Sequence, residues 1–485
     1  MFDIVIISVP GTVSRLPPAA PALLKASVEQ AGFTCKTVDY NIRLYSESCY
    51  SHDLETYFTT GINQEQEPAA RIMIDAWADE LCQLSAGYIG ISVFTYQNRV
   101  ATQMFCQAIR ARSTARIVLG GQGLADGGLE GVVSFGQQLV DQGLADFYIR
   151  SEGEISLVQL LQGNVGHPGI NSDTFQQVDD LDSLPFPNYD DYDLAQYSAP
   201  RLPVTGSRGC VRSCSFCDIH EHWKFRWRTG ENLAKELIYL NQRYDVVDFA
   251  FTDSLINGNY KEFNRFIEIL AQYNKTAAQP ITWSSQFIIR SVTQSSEHYW
   301  KTIAASGARE LAIGVETGSD RVRKHMNKQF TNVELDHAMA MMHQHGITCI
   351  FLMIFGYPTE TAEDFQDTLD MFDRYVPYQD IMVNIEFGST LGILPGTPLY
   401  RHAAEWNIEL DKYENNWVAL DNPDLTLETR LARRQQAIAH AQQLGYQFTT
   451  SAAEHMLKII ENNIGMFNKR NLVKKKFMLK QTQLG

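Results

Sequence analysis

Short β-rich runs alternate with amphipathic helical segments in two successive series along this chain. Such alternation predicts right-handed βαβ crossovers, which build parallel sheets covered by helices. We therefore predict an α/β fold class. Because 485 residues are too many for one ordinary core, we also expect more than one domain.

The first series occupies residues 1–150 and predicts an N-terminal Rossmann-like, doubly wound parallel sheet. Such a sheet binds ligands beyond the carboxyl ends of its strands. The loops expected at those ends include Pro10-Gly11-Thr12, residues 95–98 and residues 120–123. No G-x-G-x-x-G motif opens the first helix, which argues against nicotinamide or flavin binding. The predicted strands cover residues 3–9, 34–40, 88–94, 115–119 and 146–150.

Residues 151–200 are predicted to be a linker to the second series, because residues 179–200 are acidic and contain several prolines and aromatic residues. Six further strand and helix pairs in residues 201–400 predict a partial (β/α)6 TIM-type barrel with its site at the C-terminal ends of the strands. Residues 401–485 are predicted to be mostly helical, and they end in a basic stretch, NKRNLVKKKFMLK.

Charge and hydropathy limit the partners of the chain. The formal net charge of −15 argues against wholesale binding to nucleic acid or to an anionic membrane. The N-terminus has no basic region before its apolar run, and no apolar stretch reaches the roughly 18 residues of a membrane span. We expect a cytoplasmic protein with no membrane partner.

Three of the eight cysteines, Cys210, Cys214 and Cys217, cluster in the stretch RGCVRSCSFCDIH after the first predicted barrel strand. A structural zinc site would take four protein ligands, and no second cysteine pair exists. A catalytic zinc with three thiolates is conceivable, although no H-x-E element accompanies it. His220 and His222 are near enough to be considered as a fourth ligand. Three thiolates on one loop suit an iron–sulfur cluster with one open iron. The other five cysteines are scattered and are expected to be small core residues.

The spacing C-x3-C-x2-C, with Phe216 before the last cysteine, resembles the signature of the radical S-adenosylmethionine (SAM) superfamily. The first domain, with Gly120-Gly121 and the segment SEGE at residues 151–154, looks like the cobalamin-binding domain that is fused to some of these barrels. The resemblance covers residues 1 to about 400. In the barrel it rests on SRGC (207–210), FTDS (251–254), IGVETG (313–318), MNK (326–328), FGYPTET (355–361) and LPGTP (394–398).

The resemblance implies that the three cysteines hold a four-iron four-sulfur (4Fe-4S) cluster and thereby take part in catalysis. Its open iron would chelate SAM, and reduction would cleave SAM to a 5′-deoxyadenosyl radical. The resemblance also assigns SAM contacts. Asp253 and Ser254 would meet the amino group, Glu316 and Thr317 the ribose or carboxylate, and Gly356 the adenine. Alternatively, Asp253 and Glu316 would only cap the helices that follow them.

Cobalamin is the third implied cofactor. Its expected contacts are Thr12, Ser92, Thr95, Gly120, Gly121 and Glu152. The motif D-x-H-x-x-G, whose histidine replaces the lower cobalt ligand in other cobalamin proteins, is absent, since His52 is the only histidine in residues 1–150. The lower face of cobalt would then meet water or a packed side chain. The alternative is an α/β domain that binds no cobalamin.

The resemblance favours methyl transfer to an unactivated carbon or phosphorus centre of a small molecule or peptide, with an electron donor such as flavodoxin or ferredoxin. A radical ring rearrangement or cyclisation on the same cofactors is the nearest rival. Sulfur insertion into transfer RNA would require an N-terminal cysteine trio that this chain lacks. A non-catalytic iron–sulfur or cobalamin-binding module is the alternative from a different class.

Overall fold

The structure is a computed structural model, which describes residues 1–11, 16–125, 133–197, 201–388, 390–411 and 413–448. These residues divide into two compact units. The first contains residues 1–211, 218–285 and 305–308, and the second contains residues 212–217, 286–304 and the described residues from 309 onward.

The N-terminal part of the first unit is a five-stranded parallel sheet. Its strands are β1 (Phe2–Ser8), β2 (Cys35–Asp39), β3 (Ala86–Ser92), β4 (Arg116–Gly120) and β5 (Phe147–Ile149), in the order β2-β1-β3-β4-β5. The helices that accompany the sheet are α1 (Ala19–Gln30), α2 (Tyr40–Leu44), α3 (His52–Thr60), α4 (Glu67–Gln83), α5 (Arg99–Arg110), α6 (Phe135–Asp141) and α7 (Gly153–Leu161).

Strand β1 shows why this sheet lies inside the domain. All four residues from Ile4 to Ile7 are buried, as expected for a central parallel strand with helices on both faces. Val5 and Ile7 belong to one hydrophobic cluster, and Ile4 and Ile6 belong to another on the opposite face. The predicted doubly wound sheet is confirmed.

The second predicted series forms the expected barrel repeats. In the first unit, the central strand β9 (Asp248–Phe251) pairs in parallel with β6 (Arg201–Val204) and β10 (Thr282–Phe287). In the second unit, β12 (Thr348–Met353) pairs in parallel with β11 (Ala308–Glu316) and β13 (Met382–Glu386). The six βα repeats confirm the partial (β/α)6 barrel. The strands after β5 are β6 (Arg201–Val204), β7 (Ser207–Arg208), β8 (Arg226–Trp227), β9 (Asp248–Phe251), β10 (Thr282–Phe287), β11 (Ala308–Glu316), β12 (Thr348–Met353), β13 (Met382–Glu386), β14 (Ile408–Glu409) and β15 (Val418–Ala419).

The helices after α7 are α8 (Ile219–His222), α9 (Gly230–Tyr244), α10 (Tyr260–Asn274), α11 (Glu297–Ala305), α12 (Asp320–His325), α13 (Asn332–His345), α14 (Ala362–Arg374), α15 (Pro398–Arg401) and α16 (Leu427–Gln443). The C-terminal region contains α16 and also a short antiparallel hairpin, β14 with β15. The basic stretch at residues 468–480 lies outside the described residues. Among the helices that the structure describes, none is long and apolar enough to cross a bilayer.

Candidate active site

The cysteine loop begins at the short antiparallel hairpin formed by β7 and β8. Gly209 lies between β7 and Cys210 with φ +77°, and a side chain there would come within 2.6 Å of the carbonyl oxygen of Lys224. Cys210 belongs to the first unit, and Cys214 and Cys217 belong to the second. The amide of Cys217 donates to the carbonyl of Cys214 at 3.1 Å, which closes a turn.

The donor set of this loop fits an iron–sulfur cluster. All three cysteines are half-buried thiols that form no disulfide. Within the described ranges, no three His, Cys, Asp or Glu side chains are grouped to hold one metal ion. A 4Fe-4S cluster takes each thiolate on a different iron, so its soft ligands need not surround a single point. His220 is exposed, and the side chain of His222 lies outside the described part of the chain.

Asp253 follows β9 and is almost completely buried. Its Oδ2 accepts from the amide of Gly206 at 2.8 Å, whereas its Oδ1 has no hydrogen-bond partner among the described residues. Burial raises the pKa of Asp253 to about 7, although the Gly206 amide acts in the opposite direction. The capping alternative does not hold for this residue, because Asn259 is the N-cap of α10.

Glu316 ends β11 in the left-handed region, with φ +67°, a costly conformation for a residue other than glycine. Lys328 Nζ donates to Glu316 Oε1 at 2.8 Å and also lies 5.8 Å from the ring centre of Phe216, within the cysteine loop. Glu316 does not cap α12, whose N-cap is Ser319. Thr317 is buried, and its Oγ1 lies 3.2 Å from Thr368 Oγ1.

Gly356 follows β12 in the second unit and has φ +78°. The aliphatic part of the buried Arg430 side chain occupies the space where a side chain at Gly356 would lie. The backbone of Gly356 donates to Glu360 Oε2 at 3.3 Å, and Glu360 in turn accepts from Arg433 at 2.7 Å. The need for glycine at this position is therefore explained by Arg430.

Two cavities, of about 580 Å³ and about 420 Å³, lie within the first unit. They adjoin each other, and they lie beyond the carboxyl ends of β1 and β3, where a sheet of this strand order places its ligands. The residues that line both cavities are Ala20, Ser92, Phe94, Glu154, Thr205, Arg208 and Thr252.

The polar groups of these cavities fit a large ligand with many hydrogen-bonding substituents, such as cobalamin. Ser8 lines the first cavity, Ser151 lines the second, and Glu154 lines both. Ser8 Oγ, Ser151 Oγ and Glu154 Oε2 are buried and have no hydrogen-bond partner among the residues that the structure describes. Since buried polar groups are normally paired, these atoms are available to a ligand.

The structure brings some of the predicted cofactor residues together and gives others a different surrounding. Ser92, Gly120, Gly121, Glu152 and Ser254 all line the second cavity. Thr95 instead caps a short 3-10 helix, where its Oγ1 accepts from the amide of Gln97 at 3.3 Å. Thr12 lies outside the described residues.

Glu152 is engaged by arginines of the hairpin that flanks the cysteine loop. Arg226 donates to its two carboxylate oxygens at 2.6 and 2.8 Å, and Arg208 Nη1 lies 2.9 Å away. Burial acts to raise the pKa of Glu152, but the hydrogen bonds from Arg226 and the charge of Arg208 outweigh it and leave the pKa below its usual value. Arg208 and Lys328 lie in the motifs SRGC and MNK, but neither residue was assigned a role from the sequence, and Arg226 was not singled out.

The comparisons with known proteins agree with this arrangement. Residues 204–372 match the model of the radical SAM superfamily. An uncharacterized methyltransferase of Pyrococcus horikoshii is 24% identical over 57% of this chain and 62% of its own length. The cytidylyl-2-hydroxyethylphosphonate methyltransferase of Streptomyces wedmorensis is 24% identical over 46% of this chain and 45% of its own length. The chain thus spans about half to three fifths of these relatives.

A solved structure extends the similarity to the N-terminal sheet. The radical SAM methyltransferase TsrM of Kitasatospora setae, solved with cobalamin and a 4Fe-4S cluster bound, is 16% identical and superposes with a TM-score of 0.59. The superposition covers 85% of this chain and 81% of TsrM, so the two share their fold. The chain therefore contains a domain, residues 204–372, that matches the radical SAM superfamily, and it shares its overall fold with TsrM.

Proposed function

We propose that this chain is a cobalamin-dependent radical SAM methyltransferase that acts on an unactivated carbon or phosphorus centre of a small molecule or peptide. The observation that carries the proposal is the pairing of a three-cysteine loop with the two adjoining cavities of the first unit. Arg208 lines both cavities and stands two residues before Cys210. The segment from Arg208 to Cys210 therefore borders both the cavities proposed for cobalamin and the loop proposed for the iron–sulfur cluster.

The residues of the chain bind and orient the cofactors. Cys210, Cys214 and Cys217 would hold the cluster, and Ser8, Ser151 and Glu154 would pair with polar groups of cobalamin. When bound, the cluster, SAM and cobalamin supply the electron, the radical chemistry and the methyl carrier. Asp253, buried and with one unpaired oxygen, is suited to accept a hydrogen bond from the amino group of SAM.

The proposal also gives roles to the other site residues. Glu316 is held by Lys328, so these two residues would meet a polar group of SAM as a pair. Ser92, Gly120 and Gly121 would border the cobalamin cavity. An electron donor such as flavodoxin or ferredoxin and a cytoplasmic location are also part of this proposal.

The test uses the full chain, reconstituted anaerobically with iron and sulfide and supplied with cobalamin. The wild type should release 5′-deoxyadenosine from SAM on reduction. A variant with all three loop cysteines changed to alanine should not. Its matched control changes the scattered Cys49 and Cys82 to alanine and should retain the activity. Release of 5′-deoxyadenosine by the triple variant would refute the proposal.

The products of SAM separate methyl transfer from its rivals. Methyl transfer should yield S-adenosylhomocysteine together with 5′-deoxyadenosine, whereas a rearrangement or cyclisation should yield 5′-deoxyadenosine without S-adenosylhomocysteine. A non-catalytic binding module would yield neither. A methylated product from candidate small molecules or from co-purified ligands would then identify the acceptor.

A further inference from the structure

The loop that carries Cys214 and Cys217 is held in place by a second segment of the same unit, residues 326–329. The amide of Ser215 donates to the carbonyl of Met326 at 3.1 Å. Asn327 Nδ2 donates to both the carbonyl and the hydroxyl of Ser213, at 3.0 and 2.9 Å. Arg212 Nη1 donates a hydrogen bond to Gln329 Oε1. The two segments therefore lie side by side in opposite directions.

The backbone of the supporting segment is strained. Asn327 and Gln329 have φ values of +59° and +57°, in the left-handed region. Such conformations cost free energy outside glycine and persist where the surroundings enforce them. In this conformation the side chain of Asn327 hydrogen-bonds to Ser213. Lys328, which lies between Asn327 and Gln329 in the sequence, contacts both Glu316 and the ring of Phe216.

Tyr357 supports the loop from a third element. Its side chain is fully buried, and its hydroxyl donates to the carbonyl of His325 at 3.0 Å. Because a phenol has one proton, Ser215 must be the donor in the 2.8 Å hydrogen bond between Ser215 Oγ and Tyr357 Oη. Burial raises the pKa of Tyr357, so the hydroxyl keeps its proton. The amide of Leu399 completes the support by donating to the Ser215 carbonyl at 2.8 Å.

We propose that Tyr357 is a positioning residue whose hydroxyl, through Ser215, fixes the turn of Cys214 and Cys217 before a cluster binds. The inference rests on the function proposed above. Residues that orient metal ligands from behind typically change metal affinity by about 10- to 100-fold when they are removed. A rigid turn presents its two thiols at a fixed separation, so the cluster does not have to order the loop.

The test compares Tyr357→Phe and Ser215→Ala, which both remove the hydrogen bond between Ser215 and Tyr357. Tyr357→Phe also removes the hydrogen bond to the carbonyl of His325. Tyr446→Phe is the matched control, because Tyr446 is also buried in this unit and its hydroxyl donates to the carbonyl of Phe372 at 2.6 Å. Amide hydrogen exchange of residues 212–217 is measured without iron. Release of iron to a chelator and the electron paramagnetic resonance spectrum of the reduced cluster are measured after reconstitution.

Both loop variants should exchange faster than the wild type, release iron about tenfold faster and shift the resonance spectrum, whereas Tyr446→Phe should do none of these. The double variant should be no worse than Tyr357→Phe alone, because that variant already lacks the hydrogen bond with Ser215. Wild-type exchange in both variants would overturn the proposal. So would faster exchange with unchanged iron release and spectrum. If the wild type takes up no iron, the proposed function fails, while exchange without iron still decides whether Tyr357 fixes the turn.

Discussion

Arg226 and Glu152 form a bidentate, buried ion pair that joins the β7–β8 hairpin to the segment SEGE at the start of α7. The carboxylate also accepts from the amide of Val178 at 2.6 Å. Glu152, which the sequence predicted to contact cobalamin, thus links the N-terminal sheet to the hairpin from which the cysteine loop begins.

Removal of Arg226 should destabilise the first unit strongly. Arg226→Ala leaves Glu152 buried without its bidentate partner, and we expect a loss of about 3 kcal/mol in the free energy of unfolding. Urea denaturation checks the value. The exposed pair of Arg265 and Glu231 is the control, since Arg265→Ala removes a solvent-screened interaction and should change stability little. Equal losses in the two variants would contradict the structural role of Arg226.

Asp253 should make stability depend on pH. Its pKa is 3.8 in the unfolded chain and about 7 in the folded one, so the folded state binds more protons and stability falls as pH rises through this interval. Asp253→Asn should reduce that slope and should be more stable than the wild type above neutral pH. Urea denaturation across this pH range provides the measurement, with Asp53→Asn, at an exposed position, as the control. An unchanged slope in Asp253→Asn would show that other groups are responsible.

Alanine at Gly356 should destabilise the second unit for two reasons. The left-handed backbone costs about 1 to 2 kcal/mol for a residue with a side chain, and the new methyl group meets Arg430. Adding Arg430→Ala should relieve the steric contact and leave the backbone cost. Thermal denaturation of the single and double variants separates the two effects. Wild-type stability of Gly356→Ala would show that neither effect operates.

Phe94 should contribute to cobalamin retention. Its side chain is 69% exposed although it lines both cavities, which places an apolar ring at their openings. Phe94→Ala should lower the amount of cobalamin that remains bound after gel filtration, as read from its visible absorbance. Ile72, at 73% exposure on α4, provides the control through Ile72→Ala. Retention that is equal in the two variants would place cobalamin away from Phe94.

Many of the strands and helices could be predicted from the sequence, because apolar periodicity and turn residues are features of neighbouring positions. The five strands of the first sheet lie within two residues of their predicted bounds, since apolar runs and glycine-bearing turns mark such elements. Helices α2 and α3 were missed. Both are short, and their caps, Asp39 and Ser51, are residues that also occur in loops.

The surroundings of the site residues could not be predicted in the same way. Glu152 meets Arg226 across 74 positions of sequence, and Gly356 meets Arg430 across a similar interval. Periodicity carries no information on which distant side chains meet, because such pairs are fixed by tertiary packing. The resemblance pointed to Glu152, Glu316 and Gly356 as important positions. The structure adds the partner that each one requires.

The contact between Arg430 and Gly356 also bears on where the protein can be shortened. The superfamily match ends at residue 372, yet α16 supplies Arg430, which covers Gly356, and Arg433, which neutralises the buried Glu360. A fragment that stopped at residue 372 would leave the buried carboxylate of Glu360 without its counter-charge and would uncover Gly356. The smallest fragment expected to fold extends through α16, so the C-terminal helix is an integral part of the second unit.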